Sequence, residues 1–113
     1  MKIASWNVNS LNVRLPHVLQ WLELQQPDIL ALQETKLRDE KFPCAAITAA
    51  GYHVIYSGQP TYNGVAILSR DKPTEVANNL ISFPDAQQRV LSASISELRI
   101  INVTQYNQFF INF

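Results

Sequence analysis

Cysteine is almost absent from this 113-residue chain, with Cys44 its only copy, so no disulfide can form within it and a reduced compartment fits. Neither sign of charge prevails: nine Lys and Arg residues balance nine Asp and Glu. No overall positive field therefore recruits nucleic acid, and any phosphate binding must come from a local patch and specific contacts. No apolar run approaches membrane-spanning length, which leaves no membrane role to assign, and the strand-like start Lys2-Ile3-Ala4-Ser5-Trp6 leaves no room for a signal peptide. Internal repeats and dividing linkers are also missing. The expectation is a soluble, cytoplasmic chain of at most one domain. A 47% hydrophobic content, with aromatics spread along the chain, argues for a globular protein.

Pro27-Asp28-Ile29-Leu30-Ala31-Leu32-Gln33-Glu34-Thr35-Lys36 is the most informative stretch. Ile29 to Leu32 is apolar without alternation, as in a central strand covered on both faces. Glu34 then stands at the carboxyl end of that strand, the edge where open α/β sheets form their ligand crevices. Upstream, Lys2 to Asn7 reads as a first strand that stops at the turn formers Asn7-Val8-Asn9-Ser10. Leu15, Val18, Leu19 and Leu22 recur at helical spacing, so a helix is expected over about Leu15 to Gln25, with Pro16 in its first turn. Strand, helix and strand in so few residues make a right-handed βαβ unit with parallel neighbours. Such neighbours lie ~4.8 Å apart, so Asn7 and Glu34 could reach one ligand.

Farther on, Pro43 to Ala50 reads as a helix ending at Gly51. Tyr52 to Tyr56 and Gly64 to Ser69 form an expected antiparallel pair, Thr74 to Ala77 an edge strand, and Arg89 to Ile95 a hairpin with Leu98 to Val103. Residues 104 to 113 change character: they are uncharged and rich in Asn, Gln and aromatics. They read as a divergent tail.

Glu34 suits Mg²⁺, which often takes one or two protein carboxylates and keeps several waters; such an ion can polarise a phosphoryl group. The alternative is a solvated acid pairing with Lys36. The Asn7 amide can orient a phosphate oxygen or a carboxylate, or simply close an Asx turn. Lys36, Arg38 and Lys41 could track a nucleic-acid backbone, but Asp39 and Glu40 interrupt them and a mixed solvated face suits the composition better. His17 and His53 are not placed as general bases. Asp28, Asp71 and Asp85 read as turn residues, Cys44 as a small buried apolar residue, and Trp6 and Trp21 as core.

Ser5-Trp6-Asn7-Val8-Asn9-Ser10-Leu11, the stretch Pro27 to Lys36, and Tyr62-Asn63-Gly64-Val65-Ala66-Ile67-Leu68-Ser69, in that order and spacing, resemble the amino-terminal half of the exodeoxyribonuclease III group of apurinic/apyrimidinic endonucleases. That group lies within the endonuclease/exonuclease/phosphatase superfamily. The likeness covers Met1 to about Val103, with Leu32 to Lys36 its most specific part. It implies an α/β fold, the amino-terminal half of a two-sheet αββα sandwich, with one mixed sheet carrying helices on one face. It implies Glu34 as a ligand of a catalytic Mg²⁺ or Mn²⁺ and Asn7 as a second residue of that metal site, positioning the scissile phosphate. It also implies hydrolysis of duplex DNA beside abasic sites and at 3′ ends. Arg89 resembles a position near the DNA-binding surface.

The departures are specific. The family pattern has a tyrosine and a Pro/Gly turn after Val103, where this chain has Thr104 and then Tyr106, and no Asp-x-Asn motif or Asp-His pair is present. The expectation is a truncated or frame-shifted nuclease that is catalytically incomplete. Two alternatives stand beside it: a relative acting on a phosphoinositide or another phosphodiester, and a noncatalytic fragment that self-associates through the sheet face its missing half should cover.

Overall fold

The computed structural model describes residues 1–58, 63–78 and 90–104. Tyr62, Asp85, Arg89, Tyr106 and the rest of the expected tail after Thr104 lie outside the described residues. The elements run β1 (Ile3–Asn7), α1 (Leu11–Gln25), β2 (Ile29–Gln33), a 3₁₀ turn (Asp39–Lys41), α2 (Cys44–Ala49), β3 (His53–Ser57), β4 (Val65–Ser69), β5 (Thr74–Asn78), β6 (Val90–Ile95) and β7 (Leu98–Val103). β1, β2, β4 and β3 form a mixed sheet in that order, with β1 and β2 parallel and the other pairs antiparallel. β5, β6 and β7 form an antiparallel sheet of three.

The unbroken apolar runs of β2 and β4 arise because each strand serves two cores in alternation. Leu30, Leu32, Ala66 and Leu68 join Leu11, Val18 and Leu22 of α1 and Ile47 of α2 on one face of the mixed sheet. Ile29, Val65 and Ile67 point the other way, onto Leu91 and Ile95 of β6. Burying one such side chain contributes ~1.5–3 kcal/mol, so two complete cores fix the stacking of helices, sheet and sheet. The chain is an α/β sandwich half of the expected kind, with its mixed sheet helix-covered on one face.

Three expectations are adjusted by tertiary contacts. Helix α1 starts at Leu11, a turn before the apolar spacing begins, because the Ser10 and Leu11 N–H groups donate to Glu34 O and Thr35 O at 2.8 and 3.0 Å. Pro16 consequently lies inside the helix, where it forgoes one intrahelical hydrogen bond. Trp6 and Trp21 pack against the helix-side core but only half-buried: they meet edge to face at 6.0 Å and line an open groove with Arg14 and His17. Finally, β6 and β7 cover the second face of the mixed sheet at β2 and β4 but leave Ile3 of edge strand β1 50% exposed on that face, and further apolar residues meet solvent on β7. Ile101 (57% exposed) and Val103 (54%) are on the outer face of β7, opposite the inward-facing Asn102.

Candidate active site

The parallel register pairs Asn7 with Gln33, which puts Glu34 one residue beyond the ladder and beside Asn7, as the βαβ argument requires. The Asn7 Nδ2 donates to Glu34 Oε2, and the Asn7 Oδ1 accepts from the Asn9 N–H at 3.1 Å. An Asx turn and a carboxylate-orienting amide are therefore the same residue here. Lys36 joins them: its Nζ donates to Asn9 Oδ1 at 2.6 Å and lies 4.0 Å from Glu34 Oε1. Both charged side chains keep solvent access, 33% for Glu34 and 26% for Lys36. Asn9, read from sequence only as a turn former, thus belongs to the site.

Backbone conformation marks the same place. Of the eight non-glycine residues with positive φ among the described residues, five gather here: Asn9, Ser10, Glu34, Lys36 and Asn63. The other three each have a local cause: Gln26 caps α1, Ser96 turns the β6–β7 hairpin and Glu75 sits at a register shift of β5. A left-handed conformation costs a non-glycine residue roughly 1–3 kcal/mol, so five together persist only where the surroundings over-determine them. The surroundings here are two backbone clamps. From the β1–α1 side, the N–H groups of Val8, Ser10 and Leu11 hold the carbonyls of Gln33, Glu34 and Thr35; from the β4 side, Gly64 O and Asn63 O accept from Thr35 N–H and Lys36 N–H at 3.1 and 3.0 Å.

Below the loop, polar side chains join the two sheets. The Gln33 Nε2 donates to Ser5 Oγ at 2.9 Å and to Asn102 Oδ1 at 2.8 Å. The buried Asn102 Nδ2 in turn donates to Leu32 O and Ala66 O, both at 2.8 Å. Gln33 lies in the most specific stretch of the family likeness but carries no sign there of joining the sheets, and for Asn102 the one available signal is an amide within an otherwise apolar strand.

The remaining candidates lie elsewhere. Arg38 and Lys41 are exposed beside Asp39 and Glu40, so Lys36 alone of the three basic residues faces Glu34. His17 and His53 are exposed on α1 and β3. Asp28 accepts from the Lys2 N–H at 2.7 Å and Asp71 from Ser96 Oγ at 2.7 Å, as turn-side ties. Cys44 is half-buried, and its hydrogen bond to Tyr56 is the main cause that raises the Tyr56 phenol above its ordinary range, with desolvation adding to it.

Carboxylate and amide oxygens are the donors a hard divalent cation takes, and Mg²⁺ needs few from protein. Glu34 and Asn7 fit that chemistry. No group of three or more His, Cys, Asp or Glu residues converges among the described residues.

The sequence pattern of the Endonuclease/Exonuclease/phosphatase family matches residues 4–104. The chain is 40% identical over 100 residues to the exodeoxyribonuclease III of Haemophilus influenzae, covering 84% of this chain and 36% of that one. Among solved structures it superposes with a TM-score of 0.89 on a Neisseria 3′ phosphatase, NExo, bound to a product DNA hairpin. That likeness has 56% identity and covers 91% of this chain and 40% of that one. An AP endonuclease from Archaeoglobus fulgidus gives a TM-score of 0.88 at 44% identity, over 92% of this chain and 40% of its own. The chain thus spans about two-fifths of the length of these relatives. With the fold, the strand-end carboxylate and the sequence pattern in agreement, the chain belongs to the endonuclease/exonuclease/phosphatase family.

Proposed function

We propose that this chain carries part of the active site of a metal-dependent DNA-repair nuclease, one that hydrolyses the backbone of duplex DNA at abasic sites and at 3′ ends. The observation that carries the reading is the Glu34 carboxylate, fixed by a doubly clamped left-handed bend and oriented by the Asn7 amide. Glu34 would hold Mg²⁺ or Mn²⁺, with Asn7 beside it. When bound, the ion supplies charge stabilisation to a phosphoryl group. The chain's own residues do the positioning: Asn7 sets the direction of the carboxylate, Asn9 holds the Lys36 ammonium, and that ammonium offers a charge to a backbone phosphate. The names of the relatives favour DNA over an inositol phosphate as substrate. A cytoplasmic setting goes with this reading.

The chain has no Asp-x-Asn motif or Asp-His pair, the groups that the family resemblance implies for activating a water and completing the site. The chain alone is therefore expected to leave an abasic-site duplex uncut in Mg²⁺. Cutting that disappears in Glu34→Ala would refute incompleteness while supporting the nuclease assignment. The metal reading has a separate test in Mn²⁺ broadening of backbone amide resonances. Broadening should centre on residues 7–9 and 33–36 and vanish in Glu34→Gln; broadening indifferent to that change would refute it.

A second reading, self-association, rests on the exposed Ile101 and Val103 of β7, which is also an edge strand of its sheet. Light scattering should then show concentration-dependent mass that falls in Ile101→Lys. A monomer at every concentration would rule it out.

A further inference from the structure

The β4 side of the clamp on Glu34 depends on a residue that has no side chain. Gly64 is buried at φ +88 and precedes β4 directly. A β-carbon placed on it would meet Thr35 Oγ1 at 2.3 Å and Lys36 N at 3.1 Å. Thr35 resists displacement because it is 0% exposed and its branched side chain is stiff about χ1, although its hydroxyl has no hydrogen-bond partner among the described residues. Any larger residue at position 64 would push the turn outward by about an ångström, against hydrogen bonds whose reach is that short. The bonds lost would be those from Thr35 N–H to Gly64 O and from Lys36 N–H to Asn63 O. These bonds hold the β4 side of a bend in which Glu34 and Lys36 are both left-handed and Thr35 is buried between them.

We infer that Gly64 is a positioning residue for Glu34: its missing β-carbon lets the Asn63–Gly64 turn close on Thr35 and lock the carboxylate against Asn7. The inference rests on the metal-site reading for its consequence, and on the packing alone for the positioning itself. The two parts are separable by experiment.

The labelled 113-residue chain is compared with Gly64→Ala, Gly64→Ala/Thr35→Ala and Glu34→Gln by NMR. Gly64→Ala should keep a cooperative melt, lose the cross-peak between the Asn7 side-chain amide and the Glu34 γ protons, and need about 10-fold more Mn²⁺ for the same broadening at Glu34, the size of effect expected for a residue that orients a ligand. Removing the Thr35 hydroxyl and methyl in the double variant relieves the clash while leaving the strain of an alanine at φ +88, so the cross-peak should return in a protein that melts below the unmodified chain. A folded Gly64→Ala with the wild-type cross-peak overturns the inference. Should the cross-peak be lost as expected while Mn²⁺ ignores Glu34→Gln, the metal reading fails and the positioning stands. If neither Gly64 variant folds, amide exchange in the unmodified chain decides. Protection of Thr35 and Lys36 about 10-fold or more over an open loop supports the clamp, and exchange at the open-loop rate overturns it.

Discussion

The two ends of β2 bound a single five-residue strand and are built in opposite ways. At the amino end every polar group closes on a neighbour. Pro27 O accepts from Tyr52 OH at 2.7 Å and from Arg70 Nε at 3.3 Å, Lys2 O accepts from the Asp28 and Ile29 N–H groups, and the Arg70 N–H donates to Asp28 O. The Arg70 guanidinium also rests over the Tyr52 ring at 5.4 Å. At the carboxyl end the backbone is equally well bonded, but only by adopting a run of left-handed residues, and the Glu34 carboxylate keeps a third of its surface in solvent. Rigidity is common to both ends. The difference is that one end consumes its polar groups in folding, whereas the other uses folding to hold a polar group out.

That contrast can be broken, most severely at the seam beneath the carboxyl end. Asn102→Leu keeps the volume but strips two buried carbonyls and Gln33 of a partner. It should lower stability by ~2–4 kcal/mol in urea unfolding, since each buried group left unpaired costs roughly 1–3 kcal/mol. Tyr52→Phe removes one donor from Pro27 O, which Arg70 still serves, so a loss of ~1–2 kcal/mol is expected, with the Mn²⁺ response at Glu34 unchanged. A change in that response would mean the two ends are coupled. Glu34→Gln should move stability by no more than ~0.5 kcal/mol, because its ion pair is long and partly solvated, while removing the Mn²⁺ response entirely. A destabilisation larger than that of Tyr52→Phe would show that Glu34 is a structural acid after all.

The parallel pairing of β1 with β2 and the meeting of Asn7 with Glu34 were legible in the sequence because both follow from local rules, whereas the pairing of β2 with β4 that sets the strand order was not. An apolar run must be covered on both faces, a short βαβ unit must be parallel, and parallel neighbours end on one edge. The hairpin of β6 and β7 was legible for the same reason: two apolar runs flank Ser96 and Glu97, and Ser96 takes a left-handed turn. What escaped notice depends on partners distant in the chain. Helix α1 begins early because its first donors are met by β2, not by its own sequence. Asn102 lies 69 residues from Gln33, and nothing in either neighbourhood announces the other. Gly64 was legible as part of a motif, but the pressure against Thr35 that requires glycine exists only once β2 and β4 pair. Trp6 and Trp21 were assigned to the core by residue type, and they do pack against it, but β1 is an edge strand and both side chains stay partly exposed.

Apolar burial is non-directional, whereas the hydrogen bonds of the Asn102 amide have fixed directions. Its two donors span carbonyls on adjacent strands, Leu32 of β2 and Ala66 of β4, so it fits one alignment of the sheets. A shift of β7 by a single residue would bring Ile101 or Val103 into the seam and turn the amide out to water. The sandwich therefore carries its own alignment pin, and that pin sits directly under the strand whose end presents Glu34.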